Sequence, residues 1–181
     1  MNEIQKNNDY LLRGAEYSAI DVAKYLLSLD PSRKYFTLNK LKFKGSSPLQ
    51  GNFRLNKILH MCQIFHCMKY KKPLFKEQMS SYKNGAIIYE VFSNFYNLYD
   101  NKLTNFVKEL DSEKKEFVKK NFEYFKKSDD LILREFSHED PAWELGKKTG
   151  EEIKLMPMNM KLIDYYSDFF EDTLREIVAT K

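Results

Sequence analysis

The chain's most versatile chemical side chains are three histidines and two cysteines, and four of these five stand close together as His60, Cys62, His66 and Cys67. Cys62 and His66 are four apart, so a helix turns both to one face, where they can touch one Zn²⁺. A closed zinc site needs further ligands, and His60 and Cys67 leave a rigid helix in other directions. The chain offers no second Cys/His pair. The pattern reads as a core cysteine beside a hydrogen-bonded histidine, and neither a metal nor a cofactor is expected. His138 with Cys62 or Cys67 would make a nucleophile pair, but both thiols fall inside a mainly apolar helix with no cationic cluster to lower their pKa. No catalytic residue is therefore assigned. The acidic pair Glu139 and Asp140 opens a helix, where carboxylates complement the helix dipole. Glu151 and Glu152 fall in a loop. No glycine-rich phosphate loop and no strand–turn–helix nucleophile elbow is present.

The elements around these residues are mostly helical. The run Ser137-His138-Glu139-Asp140-Pro141-Ala142-Trp143 reads as a helix start, with Ser137 as cap, Asp140 reaching back, Pro141 in the first turn and the only tryptophan one turn inside. His138 is expected to face solvent in the cap turn. Ser18 and Asp21 form another capping pattern ahead of Val22, Ala23, Leu26 and Leu27, and Asp30-Pro31 stops that helix. Leu55 to Tyr70 is the longest apolar helix. Leu55, Ile58, Leu59, Cys62 and Phe65 make one stripe that Met61, Ile64 and Met68 widen, so it belongs at the centre of a domain. Leu74–Ser81 reads as an extended link. Asn84-Gly85 is a turn, and Ala86 to Phe92 launches a helix that continues through Phe95 and Tyr99. Phe117, Val118, Phe122 and Phe125 line an amphipathic helix over Leu110–Lys127, and Leu131, Ile132, Leu133 and Phe136 a short one. After a break at Thr149-Gly150, Asn159 caps a last helix with Leu162, Ile163, Tyr166, Phe169, Phe170, Leu174 and Ile177 at its period. Residues 34–44 alternate weakly, as a strand or an irregular arm.

The expected fold is mainly α: a single domain of about six or seven helices around a central apolar helix, with at most a small β element. Residues 1–15 form a flexible N-terminus, 16–181 the domain, and 33–52 a loop or β-arm insertion. Gly (6) and Pro (5) are scarce, which favours long helices over a turn-rich β fold. With 30 Lys+Arg against 26 Asp+Glu, the charge is too balanced to imply nucleic acid by itself. The clusters Lys69-Tyr70-Lys71-Lys72, Lys119-Lys120 and Lys126-Lys127 suit phosphate contacts, but Glu116, Glu123 and Asp129 interleave with them as on a solvated helix face. No apolar run is long enough to span a membrane. No secretion signal opens the chain, and a cytoplasmic location is expected. Tyr82, Tyr89, Phe92, Phe95, Tyr96 and Tyr99 supply more aromatic surface than one core stripe needs, and aromatics favour protein interfaces.

Three segments in order resemble a known family. Leu55-Asn56-Lys57-Ile58-Leu59-His60-Met61-Cys62-Gln63 followed by Pro73-Leu74-Phe75 resembles the first helix and exit of the Panacea domain. Tyr82-Lys83-Asn84-Gly85-Ala86-Ile87-Ile88-Tyr89-Glu90-Val91-Phe92 resembles its turn and helix, and the Ser137–Trp143 run its late motif. Tyr82 replaces the family's Trp, Ala86 its Pro, and the 33–52 segment is longer than usual. The family includes SocA-like antitoxins and phage- or mobile-element-associated GepA proteins. The resemblance implies a non-enzymatic antitoxin that neutralises a protein toxin, encoded by an adjacent gene, by direct binding. Tyr82, Asn84, Tyr89, Tyr96 and His138 are the expected partner contacts. Leu55, Lys57, Leu59, Gln63, Gly85, Val91, Phe92, Pro141 and Trp143 are expected to be structural. The alternatives are a regulatory adaptor or nucleic-acid-binding protein of a mobile element, and a metal-dependent hydrolase.

Overall fold

Ser18 starts the first helix among the described residues: its Oγ accepts from the Asp21 backbone N–H at 3.1 Å and donates to the Asp21 carboxylate at 2.8 Å, the reciprocal cap read from the sequence. This helix, α1 (Ala19–Ser28), opens a computed structural model that describes residues 14–37, 52–96, 98, 108–148, 154–156 and 168–179. The chain then runs through α2 (Asn52–Tyr70), β1 (Met79–Tyr82), β2 (Gly85–Ile88), α3 (Tyr89–Asn94), α4 (Ser112–Phe125), α5 (Asp130–His138), α6 (Pro141–Lys148), β3 (Lys154–Leu155) and α7 (Asp168–Ala179). It is a mainly helical single domain with one small antiparallel sheet of order β2-β1-β3. Among the described residues no helix is long and apolar enough to cross a membrane.

α2 is the central element, packed against α1, α3, α4, α5 and β2. Every residue from Asn52 to Cys67 is buried. The expected apolar stripe is present, with Leu55, Ile58, Leu59, Met61, Cys62, Ile64 and Phe65 in the core. The opposite side is equally buried but polar, carrying Asn52, Asn56, Lys57, His60 and Gln63. The helix ends with Lys71 at φ 54, past the last helical turn. Aromatic rings fill the space between α2, α4, α5 and α7. Phe65 stacks on Phe125 with centroids 6.2 Å apart, Phe125 meets Phe136 edge-on at 5.2 Å, and both Phe65 and Phe136 reach Phe170. Arg54 closes one end of this layer. Its guanidinium lies 2.5 Å from the Asp130 carboxylate and donates to the Tyr35, Ser128 and Lys126 carbonyls.

Two sequence expectations change. Ala86, Ile87 and Ile88 do not begin a helix; they pair as β2 with β1, so that Met79 opposes Ile88 and Tyr82 opposes Gly85 across the turn. The helix starts only at Tyr89. The β-branched pair Ile87-Ile88 suits a strand, and pairing with Met79–Tyr82 overrides the helical spacing. Ser137 is not an N-cap: it lies in the last turn of α5, and Asp140 caps α6 by accepting from the Ala142 N–H at 2.8 Å. Pro141 does occupy the first position of α6. Leu131 and Ile132 face outward on α5, while Leu133 and Phe136 are buried. Residues 34–37 form turns. The N-terminal residues 1–13, the 38–51 part of the proposed insertion, Tyr99, the 149–150 break, Glu151, Glu152, and Asn159 with Leu162, Ile163 and Tyr166 lie outside the described residues.

Candidate functional site

β2 is an edge strand, and an edge strand presents unpaired backbone groups. Residues two apart in a strand turn these groups to the same side, so Ala86 and Ile88 present theirs together, away from β1. The polar side of α2 meets them. Asn56 Oδ1 accepts from the Ile88 N–H at 2.8 Å, and Lys57 Nζ donates to the Ala86 carbonyl at 2.6 Å. The Ala86 N–H goes to Ser137 Oγ of α5 at 2.8 Å. One turn away, Asn52 Nδ2 donates to the Phe92 carbonyl at 2.9 Å and ties down α3. Gln63 does the same for the exit of α2, accepting from the Leu74 and Phe75 N–H groups and donating to the Phe75 carbonyl. Spacing along the helix explains the set: Asn52, Asn56, His60 and Gln63 recur every three or four residues and share one face.

His60 joins this row to α5 and α6. Its Nδ1 lies 3.0 Å from Ser137 Oγ and its Nε2 2.7 Å from Asp140 Oδ2, with all three side chains buried. Burial holds the His60 pKa below the ordinary histidine value, against the opposing pull of Asp140. In the neutral ring, Nε2–H donates to Asp140 and Nδ1 accepts the Ser137 hydroxyl proton, which leaves Ser137 Oγ to accept from Ala86. Each member of the chain is satisfied by the next. Burial also lowers the pKa of Lys57 to about 7. Serine, histidine and carboxylate here lie side by side, but the hydroxyl is buried and already accepts a backbone N–H. The arrangement is a brace between α2, β2, α5 and α6.

Gly85 makes the brace possible. Its φ is +99, and a Cβ there would stand 2.5 Å from Ser137 Oγ and 2.8 Å from Lys57 Cε. Trp143 fastens the other strand of the hairpin. Its Nε1 donates to the Tyr82 carbonyl at 3.0 Å, Ser81 Oγ donates to the Trp143 carbonyl at 3.0 Å, and His138 stacks on the indole with centroids 3.9 Å apart. His138 is thus half-buried against a ring and does not face solvent as expected. The hairpin tip and the late motif therefore meet, placing Tyr82, Trp143 and His138 together, with Asn84 in the turn. Tyr89 and Tyr96 lie beyond the far end of β2. They are 62% and 60% exposed, and Tyr96 is edge-on to Phe92 at 6.4 Å. Leu55, Leu59 and Val91 are buried beneath this surface.

The cysteine and histidine candidates stay apart. Cys62 and Cys67 are buried free thiols, and burial pushes the Cys62 pKa up and that of Cys67 up to about 12. His66 Nδ1 bonds the Lys72 carbonyl at 2.7 Å, and His60 is engaged by Ser137 and Asp140. Among the described residues no three metal-capable side chains converge.

Residues 55–144, about half of the chain, match the family described as antitoxin SocA-like, Panacea domain. The chain carries a Panacea domain. No curated protein and no solved structure gives a match. The Panacea segment begins in α2 and ends in α6, so it takes in Asn56, Lys57, His60, the hairpin, Ser137, Asp140 and Trp143. Sequence reasoning picked out Lys57, Gln63, Gly85 and Trp143 through the resemblance, but it missed Asn52, Asn56, His60, Ser137 and Asp140 as working parts of one brace. The signal was available as a polar stripe at helical spacing within a helix otherwise apolar on most of its circumference.

Proposed function

We propose that this Panacea-domain chain is a non-enzymatic antitoxin that neutralises a protein toxin, encoded by an adjacent gene, by covering its working surface. The observation that carries the reading is the pair of exposed tyrosines, Tyr89 at the start of α3 and Tyr96 two residues past its end, on a segment tied down by Asn56 at the Ile88 N–H and by Asn52 at the Phe92 carbonyl. Large amphipathic rings on a fixed backbone lose little freedom on binding and make effective anchors. Tyr82, Asn84 and His138, at the hairpin tip beside Trp143, are proposed as further partner contacts. An interface of this kind buries ~1,200–2,000 Å². The polar residues inside the domain serve the backbone, which leaves recognition to the outer side chains.

The test is co-expression with the small neighbouring open reading frame. The neighbour alone should arrest growth, and this chain should restore it and co-purify with the toxin. Tyr89→Ala with Tyr96→Ala should weaken binding about 30-fold or more at unchanged melting temperature, the scale of an interface hot spot. Rescue by the double variant at wild-type affinity removes these tyrosines from the interface. A harmless neighbour, or toxicity that this chain does not relieve, overturns the antitoxin reading.

A further inference from the structure

Lys57 is fully buried, and among the described residues it forms no ion pair. The buried carboxylates that reach α2 are committed elsewhere, Asp130 to Arg54 and Asp140 to His60. The amine donates to the Ala86 carbonyl at 2.6 Å and lies 5.0 Å from the Phe53 ring. An ammonium has three hydrogens to place and loses its hydration on burial, so an amine held this way is favoured uncharged. The charges facing it add to this. Arg134 of α5 brings a second positive charge, His60 on the next turn of α2 is occupied by Asp140 of α6, and β2 carries no charged side chain. The cover over the amine is thin. The side chain passes directly behind Gly85, where a Cβ would stand 2.8 Å from Lys57 Cε. Gly85 and Ala86 are buried, yet Lys83 in the same turn is exposed. Both polar groups of Ala86 are held from the inner side, the carbonyl by Lys57 and the N–H by Ser137. Gly85 beside them has the backbone freedom of a hinge.

We propose that Lys57 is a proton-operated latch: uptake of a proton by its amine releases Gly85 and Ala86 from α2 and α5 and opens the hairpin turn to water, while Trp143 keeps hold of β1. The linkage sets the direction. In the closed hairpin the amine has a pKa of about 7, and once water reaches it the ordinary 10.5 returns. Between these values opening takes up one proton, so each unit of falling pH multiplies the open population by up to about ten, and raising the pH closes the turn. Below about pH 7 both states hold the proton and the dependence levels off. His60 is held below the ordinary 6.5 and the Cys62 and Cys67 thiols above the ordinary 9.0, so none of them changes charge in the native chain across this window. The latch stands on the hairpin geometry and needs no antitoxin role. Its consequence for binding rests on the reading above: with Asn84 in the turn as a partner contact, affinity should rise with pH.

NMR of the full chain labelled with ¹³C and ¹⁵N tests the latch. The Lys57 Cε resonance should titrate near pH 7. Amide exchange, corrected for its intrinsic rate, should be faster at Ala86 than at Val118 in the core of α4, and Ala86 protection should rise up to about tenfold per pH unit between about pH 7 and 8.5. A local opening exposes little surface, so dilute urea should leave the Ala86 rate unchanged while it speeds Val118. Lys57→Met keeps the apolar stem and removes the titrating amine, and should leave Ala86 protection independent of pH to within about twofold, the absence of a proton to exchange. The Lys57 titration and the urea response of the unmodified chain decide the matter even where that variant fails to fold. A Lys57 resonance that titrates only near its ordinary value, Ala86 exchange that follows Val118 in rate and urea dependence, or a pH slope that survives in a folded Lys57→Met overturns the proposal. The latch measurements involve no toxin, so their failure and that of the co-expression test are told apart.

Discussion

Replacing Gly85 with alanine tests the brace most directly. At φ +99 any side chain strains the backbone, at a cost of ~1–2 kcal/mol. The new Cβ would also stand 2.5 Å from Ser137 Oγ, 2.8 Å from Ser137 Cβ and 2.8 Å from Lys57 Cε. Neither neighbour can simply yield: Ser137 Oγ is held by the Ala86 N–H and His60, and Lys57 by the Ala86 carbonyl. Overpacking of this kind costs ~1–3 kcal/mol, and losing one of the buried hydrogen bonds adds ~0.5–1.5 kcal/mol. Together the substitution should remove about 3–6 kcal/mol, a large share of the ~5–15 kcal/mol typical of a domain. Urea unfolding followed by Trp143 fluorescence measures it, because the chain has one tryptophan and that residue is buried. Adding Ser137→Gly removes both serine atoms from the clash, so the double variant should be more stable than the two single effects add up to. A shift below about 1 kcal/mol for Gly85→Ala, or strict additivity in the double variant, refutes the reasoning.

Trp143→Ala should cost ~3–5 kcal/mol, and Trp143→Phe less, since it keeps a ring and loses the Tyr82 hydrogen bond; an unchanged melting temperature for the alanine variant would contradict the buried placement. Stability should rise with pH between about 7 and 9. The native Lys57 pKa is about 7 against an ordinary 10.5, so across that window the unfolded chain binds a proton that the native one does not, and raising the pH favours folding by at most ~1.4 kcal/mol per pH unit. Above pH 9 the trend should reverse, because the unfolded thiols ionise at an ordinary 9.0 while Cys62 and Cys67 stay protonated in the native state. Urea titrations at a series of pH values check both slopes, and Lys57→Met should flatten the first; a wild-type slope in that variant would assign the effect elsewhere. Arg54→Met leaves Asp130 buried without its guanidinium and should cost ~3–5 kcal/mol, whereas Arg54→Met with Asp130→Leu should regain much of it in the same assay.

Much of the fold was legible because it follows from local rules. Ser18 with Asp21, the stripe from Leu55 to Phe65 and the inward face Phe117, Val118, Phe122 and Phe125 all obey capping and helical periodicity, and the structure places them so. The hairpin was hidden because Ala86-Ile87-Ile88 is too short for its period to separate strand from helix, and only β1 decides. Ser137 was misplaced for a related reason: Ser-His-Glu-Asp carries two capping residues, and which one ends the turn depends on how α5 packs. The brace was harder still. Lys57 and Asp140 look like ordinary surface charges, and nothing local says that a lysine will be buried against a carbonyl or that His60 will find Ser137 and Asp140 about eighty residues away. The polar stripe itself is visible in the spacing along α2, but the partners it finds are set by tertiary packing.

The way β2 is secured has an implication for how such a chain changes over time. Its free edge is consumed by Asn56, Lys57 and Ser137, so a visiting strand cannot dock there, which is why the proposed partner contacts are protruding side chains. Lys83, Tyr89, Glu90, Ser93 and Tyr96 are all exposed, and the hydrogen bonds that hold this segment come from the other side. Under the proposed antitoxin reading, mutational drift at these positions rewrites specificity while folding is left untouched, much as a keyboard's caps can be exchanged without disturbing the switches below.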